Sequence, residues 1–146
     1  MWNEINSNGD LMHFMDEMLY FHDSCLKELS YVSGAYVCDN LSMFPLNNRR
    51  VLRVIIQRQF ERNSMIEMEF HGLKELRLIP VDENYTCEIL QSTMFMKDGL
   101  IYWCDCGGLS DTDLAECTGT LICAEKLRWR SVENLMGEKE FYRSVV

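Results

Sequence analysis

The two-residue alternation of positions 52–71 constrains the fold more than any other feature of this chain. Leu52, Val54, Ile56 and Phe60 fall on one side of an extended backbone, with Arg53, Gln57 and Gln59 on the other. After the polar turn Glu61-Arg62-Asn63-Ser64, Ile66, Met68 and Phe70 alternate with Glu67, Glu69 and His71. Successive side chains of a strand point to opposite faces. The two runs therefore predict a β-hairpin with one apolar face in a core and one wet face.

Around this hairpin the remaining elements fall into place. Leu11, Phe14, Met15, Met18 and Leu19 recur at helical spacing and predict a helix over 8–20, with His13, Asp16 and Glu17 on its other face. Ser7 or Asn8 can cap its first turn, and Asp10 suits the helix dipole. Residues 25–37 are rich in β-branched and aromatic side chains, but their alternation slips around 26–29, which predicts a bulge. Gly72 is expected to turn the chain into a strand that carries Leu76 and Leu78 and ends at Pro80. A strand over 87–97 follows. Asp98-Gly99 then supplies the positive-φ pair that a two-residue hairpin turn requires, and the return strand covers 100–106. Gly107-Gly108 breaks it, and 110–116 reads as a loop or one helical turn. A last long strand covers 118–130, with Ser131 capping a short helix that Gly137 ends. The expected class is α+β: an antiparallel β-meander of six or seven strands, open or barrel-like, with the N-terminal helix packed on one face.

A length of 146 residues fits a single domain over 1–146, and the two prolines mark no linker. The opening residues lack the basic-then-apolar pattern of a secretory signal, and no apolar run is long enough to span a membrane. The seven cysteines are an odd number, placed mostly in strand-like runs. They read as reduced thiols of a cytoplasmic protein rather than as a disulfide framework. With 23 acidic against 14 basic side chains the net charge is −9. That charge argues against nucleic acid and anionic membranes as partners and would favour a basic protein, although plain solubility explains the same number.

Chemistry-bearing groups are few. His22 and Asp23 lie at a helix-to-strand junction, where a histidine and a carboxylate can form an acid–base or metal pair. The simpler reading has Asp23 or Ser24 capping a turn while His22 bridges helix and sheet. Cys104 and Cys106 share one face of their strand, with Cys117 and Cys123 further on, but their spacing differs from that of zinc knuckles. Buried thiols packing as small apolar groups account for them. His71 reads as a solvated histidine. In 110–113, Asp111 and Asp113 lack the full spacing of a calcium loop, and a Ser110 cap explains them. No serine elbow or phosphate-binding loop occurs. The expectation is therefore no catalytic residue, no cofactor and no metal, with His22, Asp23, Cys104 and Cys106 as the candidates should a site exist.

The run Phe21-His22-Asp23-Ser24-Cys25-Leu26, with Ile66-x-Met68-x-Phe70-x-Gly72-Leu73 after it, resembles a pattern in small uncharacterised bacterial proteins. Some of these are similar to immunity proteins, which neutralise a toxin by binding it. The resemblance covers about the first half of the chain and transfers no catalytic residue. It implies a non-enzymatic binding protein whose acidic surface meets a basic partner such as a toxin. Two alternatives stand beside it: a small-molecule or metal-binding domain with its site near His22 and Asp23, and a homo-oligomer formed through a sheet edge.

Overall fold

The hairpin predicted from alternation lies at the centre of the sheet. The computed structural model describes residues 1–143. In chain order its elements are β1 (Asn3–Ile5), α1 (Asn8–Glu17), β2 (Ser24–Val32), β3 (Tyr36–Val37), β4 (Met43–Phe44), β5 (Val51–Arg58), β6 (Met65–Arg77), β7 (Thr93–Lys97), β8 (Leu100–Cys104) and β9 (Leu121–Ser131). β5 and β6 pair antiparallel, with Leu52 opposite Phe70 and Ile56 opposite Ile66. The fold is α+β: an open, antiparallel, seven-stranded sheet in the order β2-β5-β6-β9-β8-β7, with β1 also on β9 and the helix on one face. Its hairpins run as a meander into which β9 is inserted, between β6 and β8. The free side of β9 is divided, β8 taking residues 121–124 and β1 taking 127–129.

The alternating side chains do what the pattern implies. Leu52, Val54, Ile56, Ile66, Met68 and Phe70 have no exposed surface and pack with Trp103, Ile122 and the helix residues Leu11, Phe14 and Met15. Each such side chain contributes about 1.5–3 kcal/mol by leaving water. Ser7 caps α1, its hydroxyl accepting from the Asp10 amide at 3.1 Å, while Asp10 accepts from the Asn6 amide at 2.9 Å. The bulge in β2 falls between Leu26 and Glu28. Asp98 and Gly99 have φ of +53° and +75°, as their hairpin turn demands. No helix is long and apolar enough to cross a membrane among the described residues.

Several boundaries differ from expectation. The helix ends at Glu17, because Leu19, Tyr20 and Phe21 adopt left-handed φ of 52°, 53° and 61°. Three such non-glycine residues in a row are costly, and tertiary contacts hold them there. Phe21 is fully buried, edge-on to Phe14 and Trp103. Arg58 donates to the Met18 carbonyl at 3.0 Å, and the Ser92 amide and hydroxyl both donate to the Tyr20 carbonyl. Leu19 is thereby left exposed rather than on the packed stripe. Gly72 does not turn the chain: β6 runs through it at φ +66° and shifts register between Leu73 and Glu75. Residues 87–92 are not strand. Ile89 alone bridges to Ser24, linking the segment before edge strand β7 to the start of edge strand β2. β8 stops at Cys104, β9 begins at Leu121, and Ser131 ends β9 rather than capping the 3-10 turn Glu133–Leu135.

Candidate functional site

His22 and Asp23 sit where the left-handed turn delivers the chain into β2. Asp23 itself has φ of +57°, its amide donates to the Ile89 carbonyl, and its carbonyl accepts from the Gln59 amide. The two side chains meet, His22 Nδ1 lying 3.0 Å from Asp23 Oδ2, although neighbours on a chain usually diverge. The His22 ring stands edge-on to Phe60. Ser24 donates to the His22 carbonyl at 3.3 Å, so the turn-capping role expected of this segment is also present. Asp23 lines a cleft of about 460 Å³ with Cys25, Arg58, Gln59, Cys87 and Glu88. Arg58 is buried and, among the described residues, forms no ion pair. It donates to the carbonyls of Met18, Arg62 and Asn63 and supports Phe60 through a cation–π contact. It serves the missing glycine cap of α1. Burial lowers its pKa, against the opposing pull of Glu17.

Cys104 and Cys106 do come together, joined by Cys117, in a small cluster with Leu109, Leu114 and Leu121. The Cys117 thiol points at Cys106 Sγ at 3.7 Å, and the Cys104 thiol at the Cys106 carbonyl at 3.4 Å. Burial raises the pKa of all three thiols, which leaves them poor nucleophiles at neutral pH. Cys123 lies elsewhere, on β9 opposite Tyr102. Cys106 and its neighbour Asp105 line a second cleft of about 620 Å³ under residues 79–81 and 87–91. Burial pushes the Asp105 carboxyl up, against an opposing hydrogen bond from the backbone around Thr120. Gly119 lets that carboxylate approach, since a Cβ there would meet Asp105 Oδ1 at 1.9 Å. Ser110 and Asp113 close a local turn, the Ser110 hydroxyl donating to Asp113 at 2.8 Å. Among the described residues, no three His, Cys, Asp or Glu side chains converge as a metal-ligand set.

Two features escaped the sequence reading. First, the outer face of β6 is not wet. Glu67 and Glu69 are each 2% exposed. Arg128 and Arg53 donate to Glu69, and His71 bonds to it as well. Arg130 donates to Glu67 at 2.9 Å and the Tyr142 hydroxyl at 2.5 Å. Trp2 lies over both Arg128 and Arg130. Burial pushes the Glu69 carboxyl up, but Arg128, His71 and Arg53 outweigh it and hold the pKa below the ordinary glutamate value. Burial and the Glu67 acceptor keep the Tyr142 phenol protonated.

Second, β3 and β4 form a separate two-stranded arm outside the main sheet, between β2 and β5. Tyr36 stacks on Phe44 with ring centres 5.2 Å apart. Polar bonds peg the arm at both ends. At the tip the Cys38 amide donates to the Ser42 carbonyl, and Asn40 accepts from the Ser42 amide and hydroxyl. At the base the Arg49 and Arg50 amides both donate to the Ser33 carbonyl at 3.1 Å. The turn-forming run Asp39-Asn40, flanked by Tyr36-Val37 and Met43-Phe44, was the available signal.

No family model matches this chain, and no similar chain was found among curated proteins or among solved structures.

Proposed function

We propose that this chain is a non-enzymatic, cytoplasmic protein-binding module of immunity type that engages its partner through the β3–β4 arm. The observation that carries the reading is the arm's surface. Tyr36, Val37, Leu41, Met43 and Leu46 are each more than half exposed, within one short stretch of chain. Large apolar side chains exposed together on one short element of this kind, here on both of its faces, are what interaction sites present. An isolated two-stranded hairpin is marginal in water, yet this one is fixed at tip and base. A preorganised element loses less conformational freedom on binding. The net charge of −9 supports a basic partner such as a toxin, because opposite charge speeds encounter.

The test is native mass spectrometry on complexes captured from the host lysate under reducing conditions, with the wild type and a Leu41→Asp/Met43→Asp variant. A protein held at fixed stoichiometry by the wild type and lost from the variant supports the reading. Equal capture by both sinks it. With the partner in hand, association should slow as salt rises.

One observation favours a second reading, a small-molecule domain at the His22–Asp23 cleft. The strained left-handed run places Asp23, with His22 against it, in the wall of a cleft large enough for a metabolite. It predicts a small molecule retained in the same spectra by the wild type and released from Asp23→Asn.

A further inference from the structure

Cys106 and Cys117 present their sulfurs to each other at 3.7 Å, with the Cys104 thiol beside Cys117 in the same cluster. A disulfide holds its sulfurs about 2.0 Å apart, so the pair must close by less than about 2 Å. The segment that must give begins with Gly107-Gly108, and Gly108 already has φ of +72°. Cys104 neighbours Cys117 as well and donates to the Cys106 carbonyl, but it is buried and does not line the cleft through which a small disulfide would enter. The partners differ in access. Cys117 is 4% exposed, whereas Cys106 is only half-buried and lines the 620 Å³ cleft together with Gly107, Thr118 and Gly119. That asymmetry fits a thiol that is reached first and a thiol that resolves.

We propose that Cys106 and Cys117 are a redox-modification site that takes low-molecular-weight disulfides of the glutathione kind through this cleft. Cys106 gives its proton to solvent, and its thiolate attacks one sulfur of the small disulfide. A mixed disulfide forms, and one small thiolate leaves and is protonated. Cys117, deprotonated in turn, attacks the Cys106 sulfur and expels the second small thiolate. Two protein thiols are oxidised to one internal disulfide, and one small disulfide is reduced to two thiols. The new bond closes the loop of residues 106–117, and Gly107, Gly108, Thr118 and Gly119 at its two ends line the cleft. Burial of both thiols makes the exchange slow, so it is a matter of equilibrium rather than of fast signalling.

The experiment equilibrates the protein in glutathione buffers of rising oxidised-to-reduced ratio, alkylates it, and maps the cysteines by mass spectrometry. The expected result is a peptide linking Cys106 to Cys117, with loss of two hydrogens. It should form at ratios where the exposed Cys38 and Cys87 carry at most a removable glutathione. Cys117→Ser should stop at a glutathione adduct on Cys106, and Cys104→Ser should still form the bond. An internal bond between other thiols overturns the proposal. So does a Cys106 that stays alkylatable while Cys38 is modified. Should Cys117→Ser fail to fold, the wild-type map decides alone, and Cys106→Ser should leave Cys117 unmodified.

Discussion

The outer face of β6 and the β3–β4 arm invert the usual distribution of polarity in opposite directions. On β6 two carboxylates are buried, and each buried acceptor has a donor from a different part of the chain. On the arm, large apolar side chains are exposed, and the polar groups satisfied nearby belong to its own backbone and turn. A buried charge that is fully paired is complete within the molecule and asks for nothing from outside. An exposed apolar patch is incomplete. Polarity out of place is therefore not by itself a sign of function; what matters is whether the molecule has already answered it.

The sharpest way to break the comparison is to remove one half of the buried pair. Glu69→Ala deletes the acceptor shared by Arg53, His71 and Arg128. Breaking a buried ion pair costs about 3–5 kcal/mol, and the lower end, about 3 kcal/mol, is expected here. The reason is that the Arg53 and Arg128 side chains are 29% and 32% exposed and can rehydrate once released. Urea denaturation measures the change, and a loss under about 1 kcal/mol would mean the ladder is ornamental.

Acid probes the same ladder without a mutation. The Glu69 carboxyl is held below its ordinary value of 4.5. Glu28 is also held low: burial pushes it up, and the Phe141 and Tyr142 amides outweigh that. A depressed carboxyl contributes stability that is complete above the unfolded-state value and is lost as pH falls through the folded-state value. Stability should therefore hold down to about pH 5 and decline below about pH 4. Glu69→Gln, less stable at neutral pH, should lose less over that acid range. Parallel declines in the two proteins would remove Glu69 from the explanation.

The two regions were not equally hidden in the sequence. The alternation of 52–70, the Ser7 cap, the β2 bulge and the Asp98-Gly99 turn are local, and all were visible. The burial of Glu67 and Glu69 depends on Arg128 and Arg130, some sixty positions away, and on Trp2 and Tyr142 near the termini. Alternation alone gives such a face to solvent. The arm failed for the opposite reason, since strands of two residues are too short to show a period. His22 and Asp23 were visible as a junction, but the cleft beside them takes its walls from 57–59 and 86–88. The left-handed run that ends α1 carries no glycine to announce it.

Gly34→Ala tests whether the arm's rigidity is separable from the sheet. Gly34 sits at the base with φ of +102°, and an added Cβ would meet the Asn48 side chain at 2.2 Å and the Arg49 amide nitrogen at 2.9 Å. The substitution strains the backbone and pushes on the segment that bonds to Ser33. A cost of about 1–2 kcal/mol, relieved by local opening of the arm rather than by global unfolding, is expected. Amide exchange should quicken at Cys38 and Ser42 while β5 and β6 amides keep their protection. If central strands lose protection equally, the arm is continuous with the core and the contrast between the regions fails.

The smallest effect is the most informative. Leu41 is 83% exposed at the arm's tip, with φ of +71°. Leu41→Ser removes apolar surface that contacts mainly water, so stability should change by no more than about 0.5 kcal/mol in urea denaturation. A polar side chain at a left-handed turn position loses nothing the fold needs. Affinity for a partner is another matter, because an apolar side chain seated in a pocket contributes about 1.5–3 kcal/mol when it leaves water. A variant that unfolds like the wild type yet binds at least tenfold more weakly would separate the exposed leucine from the buried glutamate on one measurement each. A variant that is substantially destabilised would place Leu41 inside the fold's own accounts, and the arm would cease to be an open surface.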